Sequence, residues 1–393
     1  MPVSTGAELV LLDLPVHDSI DLLLDPMVRY DNPVQSTLPV YDFMFGQNKR
    51  KMLHLTSSKY NLGPKTNCDT WNPAPRMGFR PEEILACDFE LNGEQCRDEF
   101  DAACLRNLRP EGGQNPATAA SATLTAIEAA MITVLRQDLA DDIFRIAHFG
   151  DPNTQELVND GVISLAGMSA LEQERFIRQQ STCSGWWAEL VARTQTQNAA
   201  AKVNYVDSND GTLAGNATLP ANVTDFLDQM KYSSNQVLKN WQYNRGMNQR
   251  AKFLVQSGIF RALKQYYRSL GTELAHQFII AGEAVPGVLE YDGNLVIEIP
   301  EWDMYDNETG NIQPNGLSYI QRALFIADGN LSGLINMREL AGFPGSGLII
   351  QVSPVLRDKG KRYIYADFAL GFGIAQPALV TAAYNSSRTY TTS

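Results

Sequence analysis

The residues best suited to chemistry in this chain are its cysteines and histidines. Cys68, Cys87, Cys96 and Cys104, with His54, would offer thiolate and imidazole ligands to zinc. Structural zinc sites rest on close pairs such as Cys-x2-Cys, because a tight turn must bring two ligands onto one metal. No such pair occurs, so the thiols read as ordinary part-buried side chains. A fifth cysteine, Cys183, leaves an odd count, which argues against a secreted disulfide framework and for synthesis in a reducing cytoplasm. His17, His54, His148 and His276 fall in no His-Glu-x-x-His motif, and no Gly-x-Ser-x-Gly elbow is present. His148 closes a long helical stretch, where a cationic ring would favour the helix C-terminus. Glu298, Glu301, Asp303, Asp306 and Glu308 lack the positional pattern of a calcium loop, as does Asp207–Gly211, and both read as solvated turns. Gly342–Gly347 matches no phosphate-cradling spacing. The expectation is therefore no catalytic residue, no cofactor and no metal.

Charge narrows the partners. Lys and Arg total 32 against 44 Asp and Glu, a net charge of −12. Such a chain is poorly suited to hold DNA along its length, which needs clustered cations. The dense basic runs are Asn48–Lys51 and Arg357–Arg362. Lys49, Arg50 and Lys51 are candidates for a subunit contact at a hairpin tip, with an ordinary solvated turn as the equal alternative. The aromatics at Trp186-Trp187, Trp241, Tyr243, Tyr266-Tyr267, Tyr363 and Tyr365 are expected to pack rather than stack bases. The sequons at Asn216, Asn222 and Asn307 carry meaning only on a secretory route. No apolar run reaches the roughly 20 residues that span a bilayer.

The elements that would position these residues can be read in order. Prolines at 2, 15, 26, 33 and 39 make residues 1–40 an extended arm, whose apolar residues call for burial against another chain. Short strands are expected at Met52–Leu55 and Ile84–Leu91, in a loop-rich segment that is either a large protruding hairpin or a domain insert. A helix is expected over Glu94–Leu108. A longer one follows from Pro116 to His148, with Asn115 as N-cap and an apolar stripe from Leu124 to Ile143. Further helices are expected at Ser169–Arg178, Gly185–Thr194, Val223–Trp241 and Ile259–Leu270. Strands are expected at Ala251–Gln256, Arg322–Ala327, Gly347–Val352 and Arg362–Ala366. Between Gly287 and Trp302, Asp292-Gly293 separates alternating apolar residues, a strong hairpin signal because glycine tolerates positive φ.

This order of elements resembles the major capsid proteins of tailed bacteriophages, the Hong Kong-type α+β fold. It is also similar in flavour to capsid proteins of phages infecting Bacteroidota, including the crAss-like group. The phrases Ala251–Gln256, Gly287–Gly293 and Arg322–Ala327 look like strands of that family's axial domain. The resemblance implies an N-terminal arm at 1–40 and an E-loop hairpin at 41–92. A peripheral domain at 93–221 would hold the spine helix 116–148 and an insertion at 153–220. An axial domain would span 222–345, and strands returning to the peripheral domain 346–393. It rests on element order, since the family has no short diagnostic motif.

What the resemblance implies for function is a non-enzymatic shell subunit. Hexamers and pentamers of one chain would close an icosahedral head around double-stranded DNA, with portal, scaffold or decoration proteins as partners. Assembly would take place in the bacterial host cytoplasm, without a membrane, and the product would be the virion capsid. The alternatives are another virion component, in the tail or near the portal, a related compartment shell, or a soluble enzyme built on scattered carboxylates.

Overall fold

The computed structural model describes residues 10–11, 41–45, 49–57, 77–96, 142–161, 163, 165–196, 202–207, 220–243, 250–280, 283–303, 322–337, 351–352 and 361–384. Helices and strands are mixed, in a six-stranded sheet, a seven-stranded sheet and a separate two-stranded ladder.

The strands are β1 Val10–Leu11, β2 Tyr41–Phe45, β3 Lys49–Ser57, β4 Met77–Leu85, β5 Cys87–Cys96, β6 Asn204–Asp207, β7 Lys252–Val255, β8 Gln277–Ile280, β9 Glu283–Tyr291, β10 Asn294–Glu298, β11 Ala323–Ile326, β12 Leu331–Met337, β13 Gln351–Val352, β14 Lys361–Ile374 and β15 Val380–Tyr384. The helices are α1 (142–149), α2 Thr154–Asn159, α3 Ala170–Ser181, α4 Trp186–Gln195, α5 Pro220–Ser233, α6 Gln236–Tyr243 and α7 Ser257–Ser269.

The seven-stranded sheet has the order β6-β15-β11-β7-β10-β9-β8. Its strands alternate with period two between two apolar layers, so both faces are covered. Leu254, Leu295, Ile297, Leu324, Ile326, Val380 and Ala382 enter one core. Phe253, Val255, Val296, Ala323, Phe325 and Ala383 enter the other. The second core is closed by α5 and α7. Val223, Phe226, Leu227 and Met230 recur at helical spacing on α5 and are all buried. The β9–β10 hairpin turns through Asp292 (φ 45°) and Gly293 (φ 72°), two left-handed residues whose twist suits a two-residue connection.

The six-stranded sheet is organised by β14. Cys87–Cys96 pair along Lys361–Leu370, and β12 and β13 occupy the opposite edge of β14. Phe368, Leu370, Phe372 and Ile374 point into the same core as the first face of the seven-stranded sheet. The two sheets thus share one apolar layer. Ile143, Phe144, Ile146 and Ala147 of α1 fill it, with Trp186, Leu190 and Val191 of α4. Lys252 opens the central strand β7 with its side chain 0% exposed, paired with Asp328 in the turn that carries the chain from one sheet to the other. Burial pushes the lysine pKa down, and the Asp328 carboxylate opposes that shift.

At the centre of the shared layer sits His148, fully buried and ringed by Phe144, Phe149, Trp186 and Trp302. The Trp302 indole N–H donates to His148 Nδ1 at 3.1 Å. Indole is donor-only, so the histidine proton lies on Nε2, which faces the Tyr41 hydroxyl at 3.4 Å. Loss of water, with the Arg322 charge nearby, holds the imidazole pKa at about 3. The expected cationic role at the helix end is therefore corrected. His148 is a neutral acceptor inside the core, because burial disfavours its charged form.

Several other expectations are corrected by non-local pairing. Glu94, Gln95 and Cys96 were expected in a helix but extend β5 against Lys361–Tyr363. The helix expected over Val223–Trp241 is two helices, broken at Ser234 and Asn235, where Ser234 Oγ turns back to the Lys231 carbonyl at 2.6 Å. The strand expected over Ile84–Leu91 is interrupted at Ala86. β12 belongs to the six-stranded sheet and β15 to the seven-stranded one. Val10–Leu11 pair with Gln351–Val352, and the rest of the arm expected over 1–40 lies outside the described residues. Of the long helix expected over 116–148, residues 116–141 lie outside the described residues.

His148 sets an acid limit on stability. The unfolded ring takes up a proton as pH falls below about 6.5 while the folded ring does not until about 3, so stability is lost across that window. Asparagine keeps an acceptor near the Nδ1 position and has no titration. Between pH 7 and 4.5, His148→Asn is expected to lose about 2 kcal/mol less than the wild type in urea melts.

Candidate functional site

The β3–β4 hairpin and its root form the candidate site. Lys49–Ser57 pair antiparallel with Met77–Leu85, and the ladder joins no third strand among the described residues. The connection between Ser57 and Met77 lies outside the described residues. The basic run lies at the open end of this ladder, with Lys49 opposite Leu85, rather than at the tip where sequence reading placed it.

Strand alternation divides the three basic residues. Arg50, 18% exposed, turns inward and donates to the Asp42 carboxylate, the Asp42 carbonyl and the Ser332 hydroxyl. It thereby ties β3 to β2 and β12. Lys49 and Lys51, 45% and 66% exposed, share Glu83 across the ladder, Lys51 at 3.4 Å. Their ammonium groups hold the Glu83 carboxyl below the usual range, the Lys49 hydrogen bond contributing most. The structure thus keeps the lysines outward and makes Arg50 an internal brace.

Sequence reading missed the second half of the anchor. Phe368–Ile374 reads Phe-Ala-Leu-Gly-Phe-Gly-Ile, alternating large and small. The large residues enter the core, and the two glycines face the hairpin. A β-carbon on Gly371 would stand 2.6 Å from the Leu85 carbonyl oxygen, and one on Gly373 2.8 Å from Ile84 Cγ1. No side chain fits where β4 crosses β14. Ile84 is buried there with Leu334, Met44 and Ala375 against it. The available signal was a glycine repeat at period two inside a strand, which marks close approach of another backbone.

The remaining candidates disperse. Cys87 and Cys183 are joined as a disulfide with 5.8 Å between Cα atoms, which corrects the reading of Cys87 as an ordinary thiol. Their strand and turn lie far apart in sequence, so spacing gave no sign of the pairing. Asp303 accepts the Ser257 backbone N–H at 2.9 Å and caps α7. Trp186 and Trp187 are core residues. Cys68, Cys104, Asp306, Glu308 and Gly342–Gly347 lie outside the described residues. Among the described residues, no cluster of His, Cys, Asp and Glu could hold a metal, and no helix is long and apolar enough to cross a membrane.

No protein-family model and no curated protein sequence matches the chain. The solved structures similar to it include the capsid of a native GTA particle, at 12% identity and a TM-score of 0.46, covering 88% of both chains. Another is from Mycobacterium phage Ogopogo, at 11% and 0.42, covering 92% of this chain and 91% of that one. A third is the holo-SrpI encapsulin complex of Synechococcus elongatus PCC 7942, at 10% and 0.40, covering 92% and 91%. At identities this low, no residue's role passes from these structures to this chain.

The glycine notch has a direct test. Gly373→Val is expected to destabilise by about 2 kcal/mol, the usual cost of overpacking. Combined with Ile84→Ala, the loss in denaturant melts should fall clearly below the sum of the two single losses, because the new methyls occupy the vacated space.

Proposed function

We propose that this chain is the major capsid protein of a tailed phage, closing by self-assembly into an icosahedral head around double-stranded DNA. The observation that carries this reading is the β3–β4 ladder. Nine residue pairs run from Lys49↔Leu85 to Ser57↔Met77, and the described anchors of the ladder lie at its root. A lone two-stranded ladder is marginal in water. Such an arm becomes stable when a neighbouring subunit covers it, and repetition of one such contact around symmetry axes builds a closed shell.

Other features support the same reading. The root is braced by Arg50 and seated on glycines, which gives the projecting strands a defined direction. A net charge of −12 disfavours adhesion of packaged DNA to the wall. The resemblance in element order points the same way, toward pentamers and hexamers of this chain with separate portal, scaffold or decoration proteins. Lys49 and Lys51 are the residues we assign to a contact with an acidic neighbour, with Arg50 acting only as their support.

Two measurements test this. Co-expression with the neighbouring structural genes, followed by electron microscopy, is expected to give closed shells tens of nanometres across built mainly of this chain. Tubes or small rings would move it to another virion component. DNA-free closed shells made without phage partners would favour a compartment, and a well-behaved monomer would sink the proposal. In the same assay, Lys49→Gln with Lys51→Gln is expected to lower shell yield at least tenfold while costing the monomer's melt no more than about 1 kcal/mol, as for exposed pairs. Unchanged yield would remove these lysines from the contact.

A further inference from the structure

Cys87 belongs to β5, which follows the hairpin strand β4 after the single residue Ala86. Cys183 lies in the turn between α3 and α4. That turn is clamped on the end of α1, with the Gly185 N–H donating to the Gly150 carbonyl at 2.7 Å and the Gly150 N–H to the Ile146 carbonyl at 2.9 Å. The clamp is tight, since a β-carbon on Gly150 would lie 2.4 Å from the Cys183 carbonyl oxygen and one on Gly185 2.6 Å from that of Ile146. A bond between the two sulfurs therefore fastens the strand leaving the hairpin to the end of the α1 helix.

Both partners are positioned without the bond. Cys87 is held in β5 by a ten-residue register with β14, in which its partner is Leu370. Cys183 Sγ lies 3.3 Å from the Leu370 carbonyl oxygen, so a reduced Cys183 has an acceptor in the buried layer it occupies. Leu370 is thus the ladder partner of one cysteine and the thiol acceptor of the other. The Cα atoms stand 5.8 Å apart, an ordinary separation for a disulfide. The two redox forms differ in one covalent link across a sequence separation of 96.

We propose that Cys87–Cys183 is an oxidation-set lock. The chain folds with both thiols free and closes the bond afterwards, fixing the hairpin's return strand to α1. A low-molecular-weight disulfide serves as oxidant. Cys87, the more accessible sulfur, attacks it as thiolate and releases the first small thiolate. Cys183 then attacks Cys87 Sγ and releases the second. The two cysteine protons end on the two released thiols, and the small disulfide is reduced as the protein pair is oxidised. The lock is a property of the single chain and does not depend on shell formation.

The test uses the unassembled full chain, purified in reductant and then treated with oxidised glutathione. The reduced chain is expected to melt cooperatively and to give both cysteines to alkylation once unfolded. Oxidation should remove two hydrogens from its mass, yield one tryptic peptide linking Cys87 to Cys183, and raise Tm by about 5 °C. Cys87→Ser and Cys183→Ser should melt near the reduced wild type and show no rise, the serine at 183 keeping the bond to the Leu370 carbonyl. A reduced chain without a cooperative melt would overturn the proposal. So would linkage of either residue to Cys68, Cys96 or Cys104, or a correct bond that leaves Tm unchanged. Each readout stands apart from the shell experiment, so failure of one does not register as failure of the other.

Discussion

The apolar layer shared by the two sheets is the constraint on which the other features rest. It takes Leu254, Ile297, Leu324 and Ile326 from one sheet and Leu370, Phe372 and Ile374 from the other. Polar atoms are drawn into this layer, and each needs a partner there. Trp302 and His148 satisfy one another across the core, and Trp186 donates to the Ser332 carbonyl at 3.0 Å. Lys252 is neutralised by Asp328 at the crossover between sheets. Breaking a buried pair of that kind leaves an uncompensated charge, so the turn carrying Asp328 is bound to the position of β7.

The hairpin is positioned from this layer outward. β14 presents large residues to the core on one face and Gly371 and Gly373 to the hairpin root on the other. A strand whose inner face is locked by packing gives the outer face a fixed place. Arg50 then reaches from β3 to Asp42 and to Ser332, whose own strand β12 is paired to β14. The two-stranded ladder is thus held at its root by a rigid support.

Local rules explain where sequence reading succeeded. Asp292-Gly293 makes its turn because two left-handed residues match the twist of the flanking strands. Ser169 and Glu172 begin α3 with reciprocal hydrogen bonds, a pattern carried entirely by neighbours in sequence. The readings that failed concern long-range choices. Nothing near Glu94 distinguishes a helix start from a strand end, and the choice is made by Lys361–Tyr363 lying alongside. His148 read as a helix-end cation because Trp186 and Trp302, which pack around it, lie far along the chain.

By itself, then, the sequence determined the mixed helix and strand content, the β9–β10 hairpin, the main helical faces and the acidic charge. These follow from periodicity, turn chemistry and composition, which act within a few residues. Only the tertiary structure decided which strands share a sheet, that Arg50 turns inward while Lys49 and Lys51 stay out, and that Cys87 meets Cys183. It also decided that the glycines of β14 are a seat for the hairpin. Each of these is a contact between segments far apart in the chain, selected by the packing of one shared layer. A local pattern carries no information about which distant partner fills that layer.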